Sequence, residues 1–215
     1  QRVFVPTLPY VTIPPVMRGI NSDLSEKREG YFDYYTRFWI WDEDFEPDKH
    51  AYLTKKQAML LDETIDEYNA IIKKVAGEYD WHVVPMAKNV AGLARRRLGG
   101  EITRDFPRGL AKALKNQEST AHLVDEDGDV HLSTDYLRLN EDKKIYKGGI
   151  FSLDGLHPTT IGYGLMANVY FNTMVKAGGD FQRPLDWDKI VSEDSLISNP
   201  PKLLSELRYV LRFLA

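Results

Sequence analysis

A strand–helix–strand pattern within the first 86 residues is the feature that most constrains the fold. Residues 3–9 and 81–86 are short apolar runs typical of buried strands. Between them, Thr54 and Gln57 form a capping box, and we expect the helix that it opens to stop at Gly77. The predicted core stripe of that helix comprises Leu61, Ile65, Tyr68, Ile72 and Val75. Because this arrangement is typical of a βαβ crossover, we predict that the two strands pair in parallel.

The rest of the sequence predicts insertions into this unit and not a second domain. Residues 10–53 hold a dense aromatic stretch that we expect to form a cap-like insertion. We favour packing of these aromatic side chains on the core over their lining a pocket. Residues 88–147 read as a helical and hairpin insertion, with Asp127-Gly128 as the turn between strands at 121–124 and 130–132. We expect a helix over 159–176 and an amphipathic segment over 203–214. No linker divides the chain, so residues 1–215 are predicted to be a single domain.

Composition narrows the classes of function. The 215 residues include 43% hydrophobic and 28% charged residues, which is ordinary globular composition. A net charge of −4 gives no reason to expect nucleic acid as a partner, and no apolar run is long enough to span a bilayer. The absence of cysteine excludes disulfides and thiolate metal sites. The first residue is Gln1 rather than Met, so we expect that an upstream portion has been removed.

The residues that best predict chemistry are Asp154 and His157. Their spacing of three lets the two side chains lie side by side in a turn or the start of a helix. A carboxylate bonded to one imidazole nitrogen holds the tautomer and leaves the other nitrogen available as a base. Pro158 suits the first turn of the following helix, which places His157 at the entrance to that helix.

This stretch, Asp154-Gly155-Leu156-His157-Pro158-Thr159 followed by Gly162-Tyr163, resembles the last conserved block of the SGNH/GDSL hydrolases. Residues 3–9, 54–87 and 149–177 are similar, in the same order, to late elements of that family. The resemblance implies an α/β fold, namely part of a three-layer α/β/α sandwich around a parallel sheet. It also implies a serine esterase in which Asp154 and His157 belong to the catalytic triad, with no cofactor and no metal. The implied substrates are small-molecule, lipid or sugar esters.

The chain also departs from the family pattern. It contains neither the Gly-Asp-Ser motif of the nucleophile nor the Gly-x-Asn-Asp motif of an oxyanion donor, and Ser152 lies on the wrong element to replace the nucleophile. In the family's strand order, 2-1-3-4-5, residues 3–9 and 81–86 would be the fourth and fifth strands. We therefore expect the chain to be inactive alone and to associate with a missing N-terminal half, or with itself, along the exposed sheet edge.

Two other functions stay open from the sequence. The chain could be a non-catalytic binding or structural module that retains the same fold, or a metal-dependent hydrolase that uses Asp154 and His157 as ligands. The acidic run Asp125, Asp127 and Asp129 resembles a calcium loop, but Gly128 is misplaced for an EF-hand and favours a hairpin turn. His122 and His131 could face each other across this hairpin, yet two imidazoles without a third ligand make a poor zinc site.

Overall fold

The chain is a mixed α/β protein with a small parallel two-stranded sheet. The computed structural model describes residues 2–20, 30–94, 105–134, 149–181 and 184–199, together with residues 138–139, 145–146, 206 and 210. The strands are β1 (Phe4–Pro6), β2 (Arg18–Ile20), β3 (Tyr34–Thr36), β4 (Leu53–Thr54), β5 (His82–Val84), β6 (Arg138–Leu139) and β7 (Ile145–Tyr146). The helices are α1 (Lys55–Glu78), α2 (Met86–Ala91), α3 (Arg108–Lys115), α4 (Thr160–Lys176), α5 (Trp187–Glu193) and α6 (Ser195–Ser198). Within the described residues, no helix is long and apolar enough to cross a membrane.

The predicted parallel pairing is confirmed, because β1 and β5 lie side by side with α1 between them in sequence. The amide of His82 donates to the Val3 carbonyl at 2.9 Å, and the amide of Thr7 donates to the Val84 carbonyl at 3.0 Å. Since alternate residues direct their main-chain groups to opposite edges, Phe4 and Pro6 direct theirs away from β5. The missing N–H of Pro6 therefore leaves this ladder intact, as expected for proline at a sheet edge.

Strand β1 is less buried than predicted. Its three residues are all of intermediate exposure, whereas Val84 of β5 is fully buried. The reason is that, among the described residues, β1 has no neighbour on its second edge. The sequence correctly indicated the strand and its partner but not its half-exposed environment.

Helix α1 begins as predicted and packs differently. The Thr54 hydroxyl accepts from the Gln57 amide and the Gln57 side chain accepts from the Thr54 amide, which completes the capping box. Gly77 lies inside the helix, so the predicted stop there is wrong; the chain turns at Asp80, which has a φ of 53°. The predicted core stripe is also not the buried face, since Leu61 and Tyr68 are exposed. The buried residues of α1 are Ala58, Asp62, Asn69 and Ala76.

Two of those buried polar residues fasten α1 to the segment that follows β1. The Asp62 carboxylate accepts from the Thr12 hydroxyl at 2.7 and 2.9 Å and from the Tyr31 hydroxyl at 3.0 Å. The Asn69 side chain accepts from the amide of Leu8 at 2.7 Å and donates to its carbonyl at 3.0 Å. Buried polar groups with satisfied hydrogen bonds hold one arrangement, so the helix is tied down here by polar contacts rather than by its apolar stripe.

The aromatic stretch forms a three-stranded antiparallel sheet that the sequence did not predict. Strand β3 lies between β2 and β4, and Phe32, Tyr35 and Ala58 form a small apolar cluster against it. Gly19 of β2 lies beneath the Phe32 ring, where a Cβ would overlap the ring carbons. The packing interpretation is confirmed for Trp41, which is buried in the main core.

The main core lies between β5, α2, α3, α4 and α5. Its most deeply buried residues include Val84, Leu110, Leu114, Leu132, Ile161 and Val191. The predicted helix over 159–176 is confirmed as α4, which ends before Gly178 with a φ of 80°. The predicted turn at Asp127-Gly128 is confirmed, but Ala121–Leu123 is a 3-10 turn rather than a strand, and only Val124 and Val130 pair across it. The predicted segment over 203–214 lies outside the described residues except at positions 206 and 210.

Candidate active site

Asp154 and His157 lie in a closed loop that leads into α4. Phe151 and Pro158 form an isolated antiparallel bridge at the base of the loop, and the amide of Ser152 donates to the His157 carbonyl at 2.7 Å. Helix α4 then begins at a buried N-cap, Thr159, whose hydroxyl accepts from the Gly162 amide at 3.1 Å. The loop is therefore held at both ends by hydrogen bonds and is continuous with a rigid helix.

The two predicted side chains are in direct contact. His157 Nδ1 lies 2.6 Å from Asp154 Oδ2, a short distance typical of a charge-assisted hydrogen bond. The His157 side chain is 67% exposed and that of Asp154 is 49% exposed. Among the described residues, no group lies within hydrogen-bonding distance of His157 Nε2. The imidazole thus binds the carboxylate through one nitrogen and presents the other outward.

Asp154 is bound through its second oxygen as well. Oδ1 accepts from the Ser152 hydroxyl at 2.7 Å, from the Leu156 amide at 2.9 Å and from the His157 amide at 3.0 Å. The hydrogen bond with the His157 ring is the main cause that lowers the pKa of Asp154 well below its ordinary value; desolvation opposes it, and the three Oδ1 donors each lower the pKa further. Asp154 is therefore a carboxylate at any pH near neutrality.

Gly155 attaches this loop to the segment after β1. Its carbonyl accepts from the Val16 amide at 2.8 Å, and its φ is 70°, a conformation that favours glycine. A Cβ at this position would lie 2.8 Å from the Val16 main-chain nitrogen. A glycine between Asp154 and Leu156 therefore serves two purposes: it allows the turn, and it allows the main chain of Val16 to approach.

Ser152 is not placed to act as a nucleophile on His157. Its hydroxyl donates to Asp154 Oδ1, so it supports the carboxylate instead of facing Nε2. This agrees with the expectation that Ser152 lies on the wrong element. Among the described residues, no group of three or more His, Cys, Asp or Glu side chains is arranged to hold a metal ion.

A second Asp–His pair was missed by the sequence reasoning. His131 Nε2 lies 2.8 Å from Asp125 Oδ2 across the turn at Gly128, with side chains 37% and 36% exposed. Asp125 Oδ1 accepts from the Asp129 amide at 2.8 Å, and the hydrogen bond from His131 is the first cause of the lowered pKa of Asp125. The signal for this pair was the hairpin turn itself, since it brings residues before and after the turn onto facing positions.

Comparison of the chain with protein-family models, with curated proteins and with solved structures finds no match. The resemblance to the SGNH/GDSL hydrolases therefore rests on sequence motifs alone. The geometry of the Asp154–His157 pair is independent of that resemblance.

Proposed function

We propose that this chain supplies the acid and the base of a serine hydrolase that cleaves carboxylic esters. In this proposal the chain is the C-terminal part of an SGNH-type three-layer α/β/α domain. Asp154 and His157 are the triad residues, and the nucleophilic serine lies outside these 215 residues. The observation that carries the proposal is the contact of Asp154 Oδ2 with His157 Nδ1, which leaves Nε2 facing outward.

The choice of ring nitrogen matters for the chemistry. A carboxylate bonded to Nδ1 keeps the proton there in the neutral ring, so Nε2 carries the lone pair that accepts a proton from a serine hydroxyl. Asp154 remains charged and stabilises the imidazolium that forms, after which Nε2 returns the proton to the leaving alkoxide. The acyl carbon is transferred from the leaving alkoxide to the serine oxygen. Water then gives a proton to Nε2 and attacks the acyl carbon, and the acid leaves as the serine oxygen takes that proton back.

Two exposed features are consistent with a missing part of the domain. The outer edge of β1 directs the main-chain groups of Phe4 and Pro6 away from β5, and the apolar stripe of α1 leaves Leu61 and Tyr68 exposed. In a three-layer sandwich, a neighbouring strand would pair with the first feature and the sheet and helices around it would cover the second. We propose that the upstream part of the same domain pairs with the edge of β1 and covers the apolar stripe of α1.

The test is covalent labelling of the parent protein that carries both this chain and the proposed upstream serine. A fluorophosphonate probe labels a serine only when a base activates it. We expect labelling of one serine upstream of this chain, and loss of that labelling in His157→Ala. His131→Ala is the matched control, because it removes the imidazole of the other Asp–His pair, which is also partly exposed, and should leave labelling unchanged.

Other outcomes of the same experiment contradict the proposal. Labelling that survives His157→Ala would remove the imidazole from the mechanism. Ester hydrolysis that needs added metal and gives no labelling would assign Asp154 and His157 to a metal-dependent hydrolase. Ligand binding with neither labelling nor hydrolysis would assign the chain to a non-catalytic module.

A further inference from the structure

Asp194 has a buried carboxylate that the proposed mechanism does not use. It lies between α5 and α6 and is 1% exposed. Its Oδ2 accepts from the Ile161 amide at 2.8 Å, and its Oδ1 accepts from the Ile197 amide at 3.2 Å. Both donors are main-chain N–H groups in the first turn of a helix, Ile161 in α4 and Ile197 in α6. One side chain therefore joins the starts of two helices.

Only one of these two contacts is explained by the position of Asp194 in the sequence. Asp194 precedes α6, and aspartate commonly caps the helix that it precedes. Serine and asparagine cap helices equally well with a single acceptor oxygen, whereas a carboxylate has two and can bind both helices at once. The contact with Ile161, 33 residues away in the sequence, is the part that a local cap does not require.

Helix α5 packs on the same part of α4 and gives Asp194 a rigid base. Gly164 lies one turn after Ile161, against Trp187 and Ile190 of α5. A Cβ at Gly164 would lie 3.1 Å from the Trp187 ring and 3.0 Å from the Ile190 side chain, so the two helices are in close contact there. Residues three apart share a face of a helix. Asp194 and α5 therefore hold one face of the first two turns of α4.

Few backbone rotations separate this face from His157. The ring of Pro158 fixes its own φ. The Thr159 amide donates to the Ile150 carbonyl at 2.8 Å, and the Thr159 hydroxyl accepts from the Gly162 amide at 3.1 Å. The Asp–His loop and the first turn of α4 are thus joined by a short and restrained connection. The direction in which His157 Nε2 faces depends on where that turn lies.

We infer that Asp194 is a positioning residue for His157, because it holds the first turn of α4 and so sets the direction of the imidazole. Without the carboxylate, the Ile161 N–H would be a buried donor with no acceptor, and the start of the helix would shift or open to avoid that cost. This inference rests on the proposed function, since the direction of Nε2 matters only when a nucleophile lies opposite it. Displacement of a catalytic group by about 1 Å can lower a rate by about 10²-fold.

The first experiment uses this chain alone and the substitution Asp194→Ser. Serine keeps a cap for α6, and its single oxygen lies too close to the main chain to reach α4 as well. Amide hydrogen exchange is measured by NMR under conditions in which the chain stays folded. We expect the amides of Val16, Ser152 and Thr159, whose hydrogen bonds hold the Asp–His loop, to exchange roughly tenfold faster in the variant. The Asp129 amide, in the loop of the other Asp–His pair, should exchange at its wild-type rate.

The second experiment measures ester hydrolysis by the parent protein that carries the proposed serine. We expect Asp194→Ser to lower kcat roughly tenfold and to leave KM within twofold, because the base is displaced while the ester site is unchanged. A purely structural role would lower the stability of the fold and leave kcat unchanged at temperatures well below unfolding.

The matched control for both experiments is Asp186→Ser. Asp186 caps α5 by accepting from the Lys189 amide at 3.0 Å, and it is exposed and makes no contact with the start of α4 within the described residues. The same substitution there should leave loop exchange and kcat at their wild-type values. An Asp194→Ser chain that does not fold is replaced by Asp194→Asn, which keeps the size of the side chain and a single acceptor oxygen, with the same expected results.

Two results would overturn the inference and leave the proposed function intact. The first is loop exchange in Asp194→Ser that matches that of Asp186→Ser. The second is an unchanged kcat in a parent protein whose serine is labelled by the fluorophosphonate probe. The opposite combination is faster loop exchange in Asp194→Ser with no serine labelled in the wild-type parent. It would support the coupling of Asp194 to the loop and contradict the proposed function alone.

Discussion

Two loops of this molecule each join an aspartate to a histidine, and they differ in the ring nitrogen that makes the contact. Asp154 contacts Nδ1 of His157, whereas Asp125 contacts Nε2 of His131. Both carboxylates have a lowered pKa, with the ring hydrogen bond as the first cause. The same pair of residue types is therefore joined through opposite ring nitrogens. Contact between an aspartate and a histidine is a weak indicator of catalysis until the nitrogen is specified.

The loops also differ in how firmly they hold the carboxylate. Asp154 Oδ1 has three further donors, and its loop is bonded to Val16 through Gly155. Asp125 Oδ1 accepts from the main-chain amide of Asp129, which lies within the same hairpin. The first carboxylate is thus oriented by a neighbouring part of the fold as well as by its own loop, which is what positioning of a catalytic base requires.

The largest expected effect is on ester hydrolysis by the parent protein. Asp154→Asn should lower kcat by on the order of 10⁴-fold, because an amide NH₂ facing Nδ1 reverses the tautomer and places the proton on Nε2. Asp125→Asn should leave kcat within twofold, since its ring contact is not part of the proposed triad. Steady-state kinetics of both variants provide the measurement. Equal losses in the two variants would mean that they act through folding and not through the base.

The tautomers themselves are measurable in this chain without the serine. In the neutral rings, imidazole ¹⁵N spectra should place the proton of His157 on Nδ1 and that of His131 on Nε2. Asp154→Asn should move the first proton to Nε2 and leave the second in place. If His157 already carries its proton on Nε2 in the wild-type chain, the assignment of a general base is wrong.

A smaller effect is expected on stability when the glycine of each loop is changed to alanine. Gly155→Ala should cost about 3 kcal/mol, because it combines a positive φ with a Cβ only 2.8 Å from the Val16 nitrogen. Gly128→Ala should cost about 1 kcal/mol, because its φ is also positive, at 90°, but no atom lies within 4 Å of the new Cβ. Urea denaturation gives both free energies of unfolding. Equal values would show that the contact with Val16 adds nothing.

The smallest expected effect is on the free energy of unfolding at acidic pH. A carboxylate with a lowered folded-state pKa stabilises the fold above its unfolded-state pKa, and this contribution is lost as the pH falls through the folded-state pKa. For Asp154 the loss begins below about pH 4 and should amount to less than about 1 kcal/mol, because half of the carboxylate is exposed to screening solvent. Unfolding free energies measured between pH 7 and pH 2 should therefore decline slightly less in Asp154→Asn than in the wild-type chain. A steeper decline in the variant would contradict this sign.

Local chemistry made part of this structure predictable from the sequence. Two predicted features depend on residues close in sequence: the capping box of Thr54 and Gln57, and the contact of Asp154 with His157. A third, the parallel pairing of the strands around Val5 and Val83, depends on a strand–helix–strand connection of known handedness. Such features need little knowledge of the remaining fold.

Features set by distant contacts were not predictable. The buried face of α1 is determined by hydrogen bonds from Thr12, Tyr31 and Leu8 to Asp62 and Asn69. The prediction that its apolar stripe is the buried face was therefore wrong. Strands β2, β3 and β4 have only two or three residues each, too few to show an alternating pattern. The side-chain oxygen of Asn89, which is buried and accepts no hydrogen bond within the described residues, has no signature in the sequence, because its state depends on which distant residues pack around it.

Pro6 has a consequence for how this molecule behaves at high concentration. An exposed strand edge is a template on which further copies can stack indefinitely into cross-β fibres. Here a second strand arriving at β1 would find the N–H and C=O of Phe4 and the C=O of Pro6, but no N–H at Pro6. Each added strand would therefore lack one backbone hydrogen bond. This loss disfavours fibre growth and still permits a single strand to pair with β1.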